Sequence, residues 1–174
     1  MKNLKFIKVD DDLMADVELL AREIWQEYYI PIIGKAQVEY MLDKFQSKAA
    51  ISKQIQEGCI YYLINTGMNR HIGYLSVLVK GDELFFSRVY IRLVERGKGF
   101  GRQAIEFVTD LARRNGCFKI TLTVNKNNVS SIKAYQKCEF KIVGPIIQDI
   151  GNGFVMDDYK MEKTVQFNEE SDIK

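Results

Sequence analysis

Histidine and proline are almost missing from these 174 residues: one histidine, His71, and two prolines, Pro31 and Pro145. A single imidazole leaves too few nitrogen ligands for a zinc site, so no metal is expected. His71 falls in a turn region and reads as structural or exposed. With two prolines, few positions force a break in an element. The three cysteines, Cys59, Cys117 and Cys138, are scattered without a pairing or metal spacing. Each reads as a small buried hydrophobe. The start of the chain, Met1 to Asp12, has no apolar signal core, and the odd cysteine count fits reduced thiols, so a cytoplasmic location is expected. No run approaches the ~18 apolar residues that a membrane span needs. Neither sign of charge dominates, with 25 basic and 23 acidic residues. That balance gives no general reason to expect nucleic acid as a partner.

What is present is a core. Hydrophobic residues make up 47% and charged residues 28%, which suits one soluble domain. The domain is expected over 1–164, with a polar tail at 165–174. Leu13, Val17, Leu20, Ala21 and Ile24 fall at helical spacing, with a cap among Asp10 to Asp12. Further helices are predicted over Lys35 to Phe45 and Ser47 to Glu57, the latter capped by Ser47 and stopped by Gly58. Cys59 to Asn65 and Ile72 to Val79 read as a β-hairpin around Thr66 to Asn69. A turn at Lys80 to Asp82 leads into a strand over Glu83 to Arg92. A helix from Gly99 to Asn115 would bury Gly101, Ala104, Ile105, Val108, Leu111 and Ala112. Phe118, Ile120, Leu122 and Val124 alternate as a strand. A short helix, Asn128 to Lys137, and two strands, Phe140 to Gln148 and Phe154 to Lys163, complete the layout. Strand, helix, strand in so short a stretch implies one parallel pair in a mixed α/β sheet.

The sharpest local signal is Glu95-Arg96-Gly97-Lys98-Gly99-Phe100-Gly101-Arg102, between a strand and a helix. Alternate glycines let a ligand approach the backbone closely. The free N–H groups and dipole of the helix start favour a phosphate or pyrophosphate. Arg96, Lys98 and Arg102 add positive charge. A tight turn with ordinary surface charges would carry the same letters. A nucleotide-hydrolase phosphate loop is excluded, because no Ser or Thr follows a Gly-Lys at the required place. A dinucleotide fingerprint would need glycine where Arg102 stands.

Arg96, Gly99 and Gly101 fit an Arg-x-x-Gly-x-Gly pattern that resembles the CoA-binding signature of the GNAT superfamily of N-acetyltransferases. Downstream, Asn128, Ala134, Tyr135 and Phe140 match the second half of that pattern in order and spacing. The resemblance covers roughly residues 1–164 at the level of layout. It implies a GNAT-like α/β fold: a mixed, mostly antiparallel twisted sheet with a parallel, splayed strand pair and flanking helices. It implies acetyl-CoA as co-substrate, held by Val89, Tyr90, Ile91, Arg96, Gly97, Lys98, Gly99, Phe100, Gly101, Arg102, Asn125, Asn128, Ser131 and Tyr135. It nominates the Tyr135 phenol to protonate the departing CoA sulfur, and a backbone N–H of Val89 to Ile91 to polarise the thioester carbonyl. Capping of the next helix would explain Asn128 equally well. One departure stands out: Glu139 occupies the place of the family's glycine before Phe140, which puts the turn geometry there in doubt.

The general base is open between Glu83 and a water chain to solvent. The expected acceptor is a small-molecule primary amine, with Trp25, Glu27, Tyr28, Tyr29 and Pro31 near it; packing of those aromatics against the sheet is the plain alternative. A protein N-terminus or lysine remains open as acceptor. So do a CoA-binding sensor without turnover and a nucleotide-binding module. A homodimer through edge strands is a further expectation of the resemblance.

Overall fold

The computed structural model describes residues 3–67 and 70–167. In order these form β1 (Lys5–Lys8), α1 (Met14–Tyr28), α2 (Ile30–Ile33), α3 (Lys35–Phe45), α4 (Lys48–Gln56), β2 (Ile60–Asn65), β3 (His71–Lys80), β4 (Glu83–Ile91), α5 (Phe100–Arg114), β5 (Lys119–Asn125), α6 (Val129–Lys137), β6 (Lys141–Gly151) and β7 (Phe154–Thr164). A 3₁₀ turn, Leu93–Glu95, follows β4. The strands make one sheet in the order β1-β2-β3-β4-β5-β7-β6. All neighbours pair antiparallel except β4 and β5, which are parallel. This is the mixed, mostly antiparallel sheet expected from the sequence.

The parallel pair is short. It holds only at Glu83↔Lys119, Leu84↔Ile120 and Phe85↔Thr121. From Phe86 onward β4 follows β3 alone, and β5 follows β7 alone as far as Asn125. The parting coincides with a bulge: Val77 pairs with Phe86 but Ser76 with Arg88, so Ser87 is the extra residue. A bulge bends its strand and raises the local twist. The result is a wedge in the middle of the sheet.

Both faces of the sheet are covered. Ala104, Ile105, Val108 and Ala112 of α5 pack with Leu75, Leu84, Ile120, Leu122 and Met161. On the other face Val17, Leu20, Ala21 and Ile24 of α1, with Val38, Leu42 and Ile51, pack on Tyr61, Leu63 and Tyr74. Phe100 and Thr109 join the buried face of α5, whereas Gly101 and Leu111 are only half-buried.

Several local expectations are corrected. Two elements come in addition to those expected: β1, a four-residue edge strand with exposed Lys5 and Lys8 at its ends, and α2, a single apolar turn with Pro31 in its first positions. The residue capping α1 is Leu13, which makes no side-chain cap bond. The Asp10 carboxylate instead accepts the Leu13 N–H at 3.2 Å, in the turn before the helix. Phe118 lies ahead of β5, 59% exposed, rather than on its inward face. It packs edge-on to Phe167, with ring centroids 5.3 Å apart. Val165 is buried and donates its N–H to the Phe118 carbonyl at 2.8 Å, continuing the domain beyond β7. Met68 and Asn69 of the expected hairpin turn and 168–174 of the expected tail lie outside the described residues. Glu139 adopts the left-handed conformation at φ 70° that glycine would take. Phe140 N–H still closes on the Tyr135 carbonyl at 3.1 Å. The turn is therefore kept, at a backbone cost of about 1 kcal/mol, with Lys163 Nζ 3.4 Å from the Glu139 carboxylate.

One glycine ties the wedge to its neighbour strand. A Cβ at Gly73 would stand 2.2 Å from the Tyr90 carbonyl oxygen, and backbone cannot step aside as a side chain can. Gly73→Ala should therefore cost about 1–3 kcal/mol in urea unfolding. An unchanged midpoint would show that β4 can move without penalty.

Candidate active site

The wedge between β4 and β5 carries two clefts, one toward each face of the sheet. The larger, of 460 Å³, runs along the start of α5. The smaller, of 110 Å³, lies between the sheet and helices α1 and α3. They share three lining residues, Val89, Ser131 and Tyr135. Alternation along β4 divides the rest: Ile91 faces the α5 side, while the Tyr90 ring packs against Trp25, Tyr29 and Tyr74 on the other.

The backbone of β4 completes the wall. The Tyr90 carbonyl lies against Gly73 of β3, and the Arg92 N–H bonds to Ile72. An antiparallel ladder alternates its bonding direction. Val89 and Ile91 therefore turn their N–H and C=O groups toward the edge that β5 has vacated. Arg96 Nε takes the Ile91 carbonyl at 3.1 Å.

The glycine loop forms one end of the larger cleft. Gly97 and Gly99 have φ of 76° and 80°, so their backbone alone demands glycine. Gly101 is different. Its φ is ordinary, it sits in the first turn of α5, and a Cβ there would meet no protein atom within 4 Å. A helical glycine costs about 1 kcal/mol relative to alanine, and nothing inside the protein requires it. A ligand brought close to the helix start would require it. The orphan N–H groups and the dipole of α5 suit an anion there. These residues thus fit the pyrophosphate of a CoA molecule.

The charges around the loop depart from expectation. Lys98 does not line the cleft; it pairs with Glu95 at 2.8 Å. Arg102 lines it but pairs with Glu106 at 3.2 Å. The Arg96 guanidinium stacks over the Tyr28 ring, 3.7 Å from its centroid. Phe100 is a core residue whose edge reaches the cleft.

Asn125 and Asn128 line the smaller pocket rather than the larger cleft. The Asn125 side-chain oxygen, Oδ1, accepts the Asn127 N–H at 2.9 Å. Asn128 is buried and caps α6, accepting from Ser131 N–H at 3.4 Å and from the Tyr28 hydroxyl at 2.6 Å. Its side chain is thus engaged within the protein. Burial pushes the Tyr135 phenol well above the ordinary tyrosine range, with Tyr90 adding to the shift and Arg96 opposing it.

Glu83 does not belong to this site. It stands at the opposite end of β4, six residues from Val89, roughly 20 Å along the strand. There it accepts the Thr121 hydroxyl at 2.5 Å and pairs with Lys119 at 3.3 Å. The Thr121 bond and Lys119 hold its carboxyl below the usual value. A carboxylate so placed and so stabilised has no route to the wedge.

The acid that does line the smaller pocket is Asp158 of β7, 4% exposed and paired in register with Asn125. Burial raises its carboxyl to about 6; Asp157 adds to the rise, while the Thr123 hydroxyl and Lys126 counter it. No local motif marks this residue. Of the expected acceptor group, Trp25 and Tyr29 line the pocket, Tyr28 turns to Arg96 and Asn128, and Glu27 and Pro31 are exposed. His71 opens β3, 4.0 Å from the Asp16 carboxylate. Among the described residues no cluster of three metal-ligating side chains occurs, and no helix is long and apolar enough to cross a membrane.

Residues 19–140 match the model of the acetyltransferase (GNAT) family. The chain is also similar to solved structures. One is the PaiA N-acetyltransferase of Thermoplasma acidophilum in complex with coenzyme A: 17% identity, 93% of this chain, 99% of that one, TM-score 0.76. Another is a chimera of the spermidine N-acetyltransferase SpeG of Vibrio cholerae and hSSAT: 18% identity, 92% and 95% coverage, TM-score 0.71. A third is the IAA acetyltransferase of Bacillus cereus: 17% identity, 93% and 99% coverage, TM-score 0.65. At these identities the likeness is one of fold. No curated protein matches the sequence.

Gly101→Ala should leave the melting temperature unchanged or slightly higher, because it gains helix propensity without a clash. The same change should weaken acetyl-CoA binding tenfold or more by calorimetry. Equal affinity would mean that no ligand approaches the start of α5.

Proposed function

This chain belongs to the acetyltransferase (GNAT) family, and we propose that it moves an acetyl group from acetyl-CoA to a small-molecule primary amine by direct attack in a ternary complex. The observation that carries this reading is the meeting of two clefts at Val89, Ser131 and Tyr135. One cleft fits a CoA pyrophosphate and its arm. The other holds a buried carboxylate. Donor and acceptor can thus be present together, which favours direct transfer.

Acetyl-CoA supplies an acyl group already activated as a thioester. The protein's part is positional and electrostatic. The outward N–H groups of Val89 and Ile91 are placed to receive negative charge on the acyl oxygen. The amine attacks in its neutral form; as the nitrogen bonds to the acyl carbon its remaining proton becomes acidic, and the Asp158 carboxylate accepts it. The carbon–sulfur bond breaks as the carbon–nitrogen bond forms, and the sulfur leaves as thiolate. A buried phenol is a weaker acid than a thiol near 8.5. Tyr135 therefore keeps its proton and stabilises the thiolate by donating a hydrogen bond. The proton held by Asp158 passes to solvent through the open side of the pocket.

The first test is release of free CoA thiol over a panel of amines, where silence across all classes would refute the reading. If Asp158 is the base, kcat/KM referred to the neutral amine should rise with pH through about 6 and level off above it, because the ionised form is the active one. Asp158→Asn should remove that limb and lower kcat by about 10²–10⁴. The same variant should be more stable at neutral pH. A carboxyl raised by burial binds its proton more tightly folded than unfolded. The charged form therefore costs stability that is absent below about 4 and complete above about 6. The gain in melting temperature should appear at pH 7 and vanish at pH 4. Full activity of the variant across this range would remove Asp158 from the mechanism. Tyr135→Phe should lower kcat about tenfold or more at unchanged acetyl-CoA affinity, and unchanged turnover would exclude the tyrosine.

A further inference from the structure

Among the residues lining the acceptor pocket, two carry formal charge, and they are of opposite sign: Asp158 and Arg88. Asp158 stands on β7 and Arg88 on β4, with β5 between them. Two strand spacings put their backbones roughly 10 Å apart, and the wedge adds to that. Phe86, Met41 and Met156 also line this pocket, giving it an apolar component. The Arg88 side chain lies on the same face as Tyr90 and passes over the Tyr61 ring at 5.9 Å. Among the described residues it makes one long hydrogen bond, to Ser87 Oγ at 3.4 Å, and no ion pair. Other arginines of the chain, such as Arg92, Arg102 and Arg113, are paired with carboxylates at 2.6–3.2 Å. A guanidinium without a counter-ion beside a substrate pocket is a site for an anion.

We propose that the acceptor is an amine that also carries a carboxylate, with the amine at Asp158 and the carboxylate at Arg88. The proposal rests on the acetyl-transfer reading above and names its substrate class. The separation of the two charges favours an ω-amino acid, in which several methylenes part the two groups, over an α-amino acid. The apolar lining suits such a chain. A diamine is a poor fit: its second cation would meet Arg88, and the pocket offers no second acid. Arg88 is then the residue that sets specificity.

The test needs no knowledge of the natural acceptor. Glycine, β-alanine, 4-aminobutyrate and 5-aminovalerate are titrated against CoA-saturated protein by calorimetry, each beside its carboxamide and the diamine of matching length. At one chain length or more the acid should bind tenfold tighter than both counterparts. In Arg88→Gln that ratio should fall to about one, with acetyl-CoA affinity retained as the control for folding. In turnover the same variant should raise KM for the acid tenfold and leave its kcat within about twofold. Equal binding of acid and amide at every length, a preference for the diamine, or an acid preference that survives Arg88→Gln would each overturn the proposal. Selective binding of acids without thiol release would uphold Arg88 and refute the acetyl-transfer reading. Thiol release with no preference for acids would do the reverse.

Discussion

Three register pairs between β4 and β5 hold the centre of this sheet together, and both clefts open where they stop. Had the pair continued to Ile91, its backbone groups would be spent on β5 and no cleft would exist. Because it stops at Phe85, an edge is opened inside the sheet, where the wide hydrophobic faces on either side exclude water. Unpaired strand edges are ordinarily a liability. Here the edge is enclosed by α1 and α3 on one face and by α5 on the other, so only a ligand that enters the wedge can pair with it. The bulge at Ser87 and the close packing of Gly73 on Tyr90 hold β4 in this bent course.

The two halves of the site differ in how far the sequence discloses them. The glycine loop is legible because its chemistry is local: Gly97, Gly99 and Gly101 stand within five residues and open a helix directly. Tyr135 and Asn128 are legible for the same reason, as members of one short capped helix. Asp158 is not. Its neighbour Asp157 reads the same in the sequence, yet Asp157 pairs with Lys126 at 2.6 Å near the surface while Asp158 turns inward. Which of two adjacent acids is buried depends on the register of β7 with β5, a pairing across more than thirty residues. Arg88 is hidden likewise, because a single charged letter in a strand does not say whether it finds a partner. Glu83 misleads in the opposite direction: it lies in the correct strand, but at the end where the strands still pair. At the level of fold, the long periodic elements are legible, whereas β1 and α2 have four residues each, too few for a period to register.

Arg96 shows how the two halves are joined. Its place in the motif suggests a direct hold on phosphate. In the structure its Nε donates to the Ile91 carbonyl and its guanidinium sits over the ring of Tyr28, the last residue of α1. The Tyr28 hydroxyl reaches on to Asn128 and Ser130 at the start of α6. A cation–π contact of this kind is worth about 0.5–2 kcal/mol. Its location matters more than its strength. The end of α1, the end of the splayed strand, the glycine loop and the cap of α6 all meet at this one pair. A ligand that draws Arg96 toward a pyrophosphate would release Tyr28 and shift the wall of the acceptor pocket. Occupation of one cleft would therefore be felt in the other through a contact that both sides share, and each ligand would change the affinity of the other by the same factor.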